Sequence, residues 1–84
     1  MEEETTAQSQ LTRLPTLGEK RVRALFNPSE NTVVADIKRQ TAALIDLVEG
    51  LKNLDPRLAA LAQTHYEDAA MWAVKLATSE EPAQ

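Results

Sequence analysis

The sequence predicts an all-α protein: an antiparallel helical hairpin of two long helices with a short N-terminal helix or arm, assembled as a homo-oligomer. Apolar residues recur in steps of three and four along two long stretches, the pattern of helices with one buried face. The prolines at positions 15, 28, 56 and 82 stand at the edges of those stretches, and none interrupts a helical hydrogen-bond ladder. With 84 residues and no cysteine, the chain can bury one small core at most and has neither a disulfide framework nor a thiolate-held zinc to staple it. Helix packing and self-association are left as its sources of stability.

Residues 1–15 read as a flexible N-terminal arm. They are polar, with Glu2, Glu3 and Glu4 in a run and Pro15 closing the segment, and they lack the apolar surface that offsets ordering entropy. Thr16 and Glu19 then have the spacing of a capping box, which predicts a short helix over about 17–26. Gly18 in its first turn works against that helix, and Asn27-Pro28 ends it, because proline drives the preceding residue out of the α region. Ser29 can cap a second helix over about 30–52, although Asn31 could serve instead. Val34, Ile37, Thr41, Leu44, Val48 and Leu51 form its apolar stripe, widened by Val33 and Ile45. Gly50, Asn53 and the Asp55-Pro56 pair stop it. Asp is a favoured N-cap and Pro a favoured first helical residue, so a third helix opens at Pro56 and runs to about 78. Its recurring residues are Leu58, Leu61, Ala62, His65, Ala69, Trp72 and Leu76. The hairpin domain therefore spans 16–79, with a tail over 80–84.

Two long helices joined by a few residues must lie antiparallel. Tyr66, Met71, Trp72 and Val74 cannot all face one partner helix, and two helices alone bury little, so self-association is the natural remedy. The alanines at 59, 60, 62, 69, 70 and 73 make the third helix thin enough for close approach of another. They also raise helix propensity, and the sequence leaves both explanations open.

His65 is the only histidine, and Gly18 and Gly50 are the only glycines. That inventory offers no catalytic constellation, no phosphate-cradling loop and no metal-ligand spacing. Glu67 and Asp68 beside His65 read as solvated surface residues. No enzymatic activity, cofactor or metal is expected. The net charge of −4 argues against a protein that coats duplex nucleic acid. No apolar stretch reaches the ~18 residues of a membrane span, and the acidic start is the opposite of a signal peptide, so a soluble, cytosolic protein is expected.

The charge is unevenly spread: residues 1–12 carry −3, residues 13–39 carry +3 and residues 40–84 carry −4. Lys20, Arg21 and Arg23 precede Phe26-Asn27-Pro28-Ser29, and Lys38 and Arg39 follow about two turns into the next helix. Such a cluster supplies guanidinium groups for phosphates, an aromatic face for a base, an amide for a base edge and free amides at a helix start for an anion. The simpler account makes Phe26 a core anchor, Asn27-Pro28-Ser29 a turn and cap, and the basic residues a solvated face. Residue types alone leave both standing.

Two stretches, GEKRVRALFNPSENTVVADIKRQTAALIDLVE at Gly18 to Glu49 and RLAALAQTHYEDAAMWAVKLAT at Arg57 to Thr78, resemble the phage helical-hairpin domain shared by the anti-CBASS protein two and the Thoeris anti-defence protein one. The Ala-Met-Trp-Ala string at 70–73, followed by Val74 and Lys75, is its most specific piece. The resemblance implies a non-enzymatic sponge in the cytoplasm of an infected bacterial host. Such a sponge sequesters cyclic di- or trinucleotides, or cyclic ADP-ribose isomers, without cleaving them. It also implies a homohexamer with one kind of pocket for cyclic dinucleotides between subunits and another for cyclic trinucleotides near the threefold axes. Carried over residue by residue, ligand contact falls on Arg21, Arg23, Phe26, Asn27 and Ser29, with Lys38 from the following helix. Arg57, Gln63 and Thr64 are the candidates for the second pocket. Gln63 stands where the dinucleotide-binding relatives are expected to carry a basic residue, a departure from the trinucleotide pattern. Trp72 is assigned to subunit packing. The alternative is a helical oligomerisation or adaptor module that binds protein partners; a third reading, a small nucleic-acid binder, predicts steep salt dependence.

Overall fold

The computed structural model describes residues 14–79, so most of the expected arm and the whole tail lie outside the described residues. Three helices follow one another: α1 (Leu17–Val22), α2 (Thr32–Glu49) and α3 (Pro56–Ala77). The described residues form no strand. The capping box opens α1 as its spacing predicts: the Glu19 amide donates to Thr16 Oγ1 at 3.1 Å, and the Thr16 amide donates to Glu19 Oε1 at 2.9 Å.

α1 stops at Val22, short of the predicted 26, because Arg23 turns into the left-handed region at φ 55°. The Arg23 amide then donates to the Lys20 carbonyl (3.2 Å) and the Ala24 amide to the Glu19 carbonyl (2.8 Å), the crossed pair of a Schellman motif. α2 begins at Thr32 with Asn31, not Ser29, as its cap: Asn31 Oδ1 accepts from the Val33 and Val34 amides at 2.7 and 3.3 Å. It ends at Glu49, earlier than the predicted 52, where the Gly50 amide reaches back to the Asp46 and Leu47 carbonyls and residues 51–54 continue as turns. Asp55 Oδ1 accepts from the Arg57 and Leu58 amides at 3.1 Å each, so α3 opens on its predicted residue.

α2 is the central element, with α1 packed on one part of it and α3 running back along it. α1 is pinned at its start, where the Gly18 amide donates to Asp46 Oδ1 at 2.7 Å. The core is Val22, Ala42, Ile45 and Ala70, with Leu17, Ala24, Ile37 and Tyr66 packed against it. Along the hairpin, Gln63 is 4% exposed; its Nε2 donates to the Ile45 carbonyl at 3.2 Å and to Glu49 Oε1 at 3.1 Å.

The face that α3 turns inward corrects the sequence expectation. Ala59, Gln63 and Ala70 are buried there, whereas Leu58, Leu61, Trp72 and Leu76, most of the row picked out by periodicity, are exposed. Small side chains let two helix axes approach closely, and the large apolar residues are displaced to the outer surface. On α2, Val34 and Ile45 point inward as expected, but Lys38 and Ala42 are also buried, under the chain of α1 and its following turn, while Val33 and Leu44, and Leu51 in the turn beyond the helix, are exposed. No helix among the described residues is long and apolar enough to cross a membrane.

Candidate functional site

The turn after α1 and the connection to α2 gather most of the sequence-predicted ligand residues. The left-handed Arg23 reverses the chain, and the Phe26 amide donates to the Arg23 carbonyl at 2.9 Å. The Lys38 ammonium rises from α2 and donates to the Arg23 carbonyl at 3.0 Å and to the Phe26 carbonyl. Phe26 is 57% exposed, which removes it from the core. Its ring lies 5.3 Å from the Arg23 guanidinium and 5.5 Å from Lys38 Nζ, within the range of cation–π attraction.

The next residues fold into a small hydrogen-bonded loop. Ser29 Oγ donates to Asn27 Oδ1 at 2.7 Å and accepts from the Asn31 amide at 3.1 Å. Asn27 Nδ2 donates to the Asn31 carbonyl at 3.0 Å. Asn31 Nδ2 donates to the Ala77 carbonyl at 3.3 Å, which ties the loop to the end of α3. The side chains of Asn27 and Ser29 therefore shape the loop, leaving Ser29 exposed at its surface.

A cleft of about 330 Å³ lies between α1, the turn and α3, lined by Arg21, Arg23, Phe26 and Lys38 on one side and Glu67, Met71 and Val74 on the other. A second hollow of about 170 Å³ lies along the loop, where Phe26, Asn27, Ser29 and Lys38 meet Val74 and Thr78. Phe26, Lys38 and Val74 form the wall between the two. All six residues expected at the first pocket thus border one of two adjoining hollows. The larger is at the small end of ligand pockets, about 300–1,000 Å³.

Among the described residues, three cationic side chains and one carboxylate line the larger cleft. Arg21 Nη1 stands 3.7 Å from Glu67 Oε1, both about two-fifths exposed. Burial, and then the charge of Arg23, hold the Lys38 ammonium below the usual lysine range. Glu67, Met71 and Val74 were missed by sequence reasoning, which took Glu67 for solvated surface; only the approach of α1 to α3 brings them to the cleft. The second expected set is dispersed: Arg57 and Thr64 are exposed, Gln63 is buried in the hairpin, and none of the three borders either hollow.

Fold and site together define a small helical hairpin whose short first helix and turn hold a cationic, aromatic-walled cleft. Residues 19–78, most of the chain, match the Acb2/Tad1 hairpin domain, and the chain belongs to that family. This is the family the sequence resembles, and it implies a phage anti-defence role. Comparison with curated proteins and with solved structures gave no match.

Proposed function

We propose that this protein is an anti-defence sponge that binds cyclic oligonucleotides or cyclic ADP-ribose-type immune messengers and withholds them uncleaved. The observation that carries the reading is the cleft itself, in which the Arg23 guanidinium lies by a half-exposed phenyl ring and Arg21 lines the same wall. Guanidinium forks match phosphate oxygens, and the ring offers a face for a base. In this reading Arg21 and Arg23 hold phosphates, Phe26 stacks on a base, and Asn27 and Ser29 set the polar edge of the adjoining hollow. Binding alone serves the function, with no bond broken.

A sponge must release its ligand more slowly than the host effector does, which favours an enclosed pocket. A single chain leaves the cleft open, so a homo-oligomer, for which the family suggests six copies, closes it in this proposal. The exposed row of Leu58, Leu61, Trp72 and Leu76 on α3 supplies an apolar seam for that assembly. Trinucleotide binding would fall to the exposed Arg57 and Thr64 grouped between subunits, because Gln63 is held inside the hairpin. The seam equally favours the second reading, an adaptor that holds protein partners.

Calorimetric titration with cyclic di-AMP, cyclic GMP–AMP, cyclic tri-AMP and cyclic ADP-ribose, followed by chromatography of ligand released by boiling, tests the proposal. Tight binding with the ligand recovered intact is the expected result. Absence of binding across that panel, with assembly retained, favours the adaptor.

A further inference from the structure

We propose that Lys38 is a positioning residue, which makes the cleft by clamping the Arg23–Phe26 turn and does not itself touch the ligand. Only the ligand half of this statement rests on the nucleotide-binding reading above. Lys38 sits in the interior of α2 and is 9% exposed. Its Nζ donates to the carbonyls at the two ends of one turn, Arg23 and Phe26, which are also joined to each other by the Phe26 amide. An ammonium placed between two carbonyls of one turn fixes their peptide planes against the helix beneath, as a bound cation would. Two of its three protons are thereby committed to the protein.

The turn is one that needs such a clamp. Arg23 stands at φ 55°, in the left-handed region that disfavours residues bearing a Cβ, at the position of a Schellman motif where glycine is usual. Holding an arginine there directs its guanidinium over the Phe26 ring, 5.3 Å away, at the edge of the cleft. Released from Lys38, residue 23 loses a bond that favours the strained geometry, and Phe26 loses the anchor of its carbonyl. Lys38 also faces unfavourable surroundings: burial, and then Arg23, push its ammonium down from the usual range. Among the described residues no carboxylate is paired with Lys38, and Glu67, which lines the same cleft, pairs with Arg21. A buried lysine whose ammonium is spent on two backbone carbonyls fits a structural clamp better than a solvent-facing phosphate hook such as Lys20, which is exposed.

Two measurements on the full chain test this. In the free protein, Lys38→Met keeps the aliphatic length and removes both donors. The three-bond amide–Hα coupling at Arg23 and the nuclear Overhauser contacts between Arg23 and the Phe26 ring should then change while helicity is retained. An unchanged turn overturns the proposal, whatever the protein binds. In the second measurement the probes are cyclic di-AMP, cyclic GMP–AMP, cyclic tri-AMP and cyclic ADP-ribose. Lys38→Met should weaken binding about tenfold in the wild-type background but no more than about twofold when Arg23→Gly and Phe26→Ala are already present, because coupled residues give non-additive losses. A loss of the same size in both backgrounds would mean direct ligand contact and overturn the positioning role. If the wild-type protein binds none of these probes, the nucleotide reading fails, and the coupling measurement alone decides what Lys38 does.

Discussion

Gly18 lies against Ala42 so closely that a Cβ on it would stand 2.1 Å from the Ala42 carbonyl oxygen and 2.8 Å from its Cα. The obstacle is helix backbone, which cannot swing aside like a side chain. This contact, with the Gly18 amide bonded to Asp46, sets the depth at which α1 seats on α2. Gly18→Ala is therefore expected to destabilise the protein by about 2 kcal/mol or more, in the upper part of the overpacking range. It should also weaken ligand binding, since α1 carries Arg21 and leads into Arg23. Urea unfolding monitored by circular dichroism checks the first expectation, and titration with the cyclic-nucleotide panel the second.

Arg23 invites the opposite experiment. Its left-handed backbone at φ 55° suits glycine, so Arg23→Gly relieves local strain of about 1 kcal/mol, partly offset by the greater freedom of glycine in the unfolded chain. Stability should stay level or rise while nucleotide affinity falls at least about tenfold, the loss of a charge-assisted phosphate contact. A variant that is both less stable and unimpaired in binding would remove Arg23 from the site.

These two positions mark what the sequence makes legible. Caps are written locally, and the Thr16-Glu19 box and Asp55-Pro56 gave the helix starts directly. The left-handed stop at Arg23 was not visible, because the Schellman position there carries arginine where the usual signal is glycine. The cluster from Arg21 to Ser29 was legible as residue types at close spacing. The far wall, Glu67, Met71 and Val74, was not, since it lies some forty residues on and meets the cluster only through packing. The inward face of α3 was misread for a related reason: periodicity marks large apolar residues, whereas this hairpin closes on Ala59, Gln63 and Ala70.

Among the described residues Glu67 is the one carboxylate lining the larger cleft, 3.7 Å from Arg21. The pair is partly exposed, and such pairs contribute about 0–1 kcal/mol. Glu67→Gln should leave the denaturant midpoint nearly unchanged. It frees Arg21 and removes a repulsion toward anionic ligands, so affinity for a cyclic dinucleotide should rise about threefold at low salt and less at high salt, as screening predicts. Titrations at two ionic strengths check this; weaker binding would instead assign Glu67 a direct contact with the ligand.

Gln63 and Glu49 couple stability to pH. Hydrogen bonds from Lys52 and then Gln63 hold the Glu49 carboxyl below the usual glutamate range. A carboxyl with a lowered folded pKa binds fewer protons folded than unfolded, so its stabilisation is full above the usual range and fades as pH falls through the lowered value. Gln63→Leu should raise the Glu49 pKa toward its ordinary value and narrow this acid dependence. Carbon-detected titration of the Glu49 carboxyl, beside urea midpoints at neutral and acidic pH, measures both effects. An unmoved carboxyl titration would contradict the assigned hydrogen bond.

The outer row of α3 gives the sharpest separation between fold and assembly. Trp72 is 62% exposed, with the Lys75 ammonium 5.4 Å from its ring; Leu58, Leu61 and Leu76 are exposed with it. None of them belongs to the core cluster that joins the three helices. A charge placed in this row therefore leaves the packing within one hairpin intact. In a buried seam between copies, the same charge would be desolvated without a partner, at a cost of several kcal/mol per ion. Leu61→Glu and Trp72→Glu should each keep the helical circular dichroism of the wild type and shift sedimentation to a smaller species. If subunit contacts close the cleft, nucleotide affinity should fall with the change in size, although neither residue lines either hollow. A dissociated variant that binds as tightly as wild type would show that one hairpin holds the ligand by itself, and a variant of unchanged size would exclude this row from the seam.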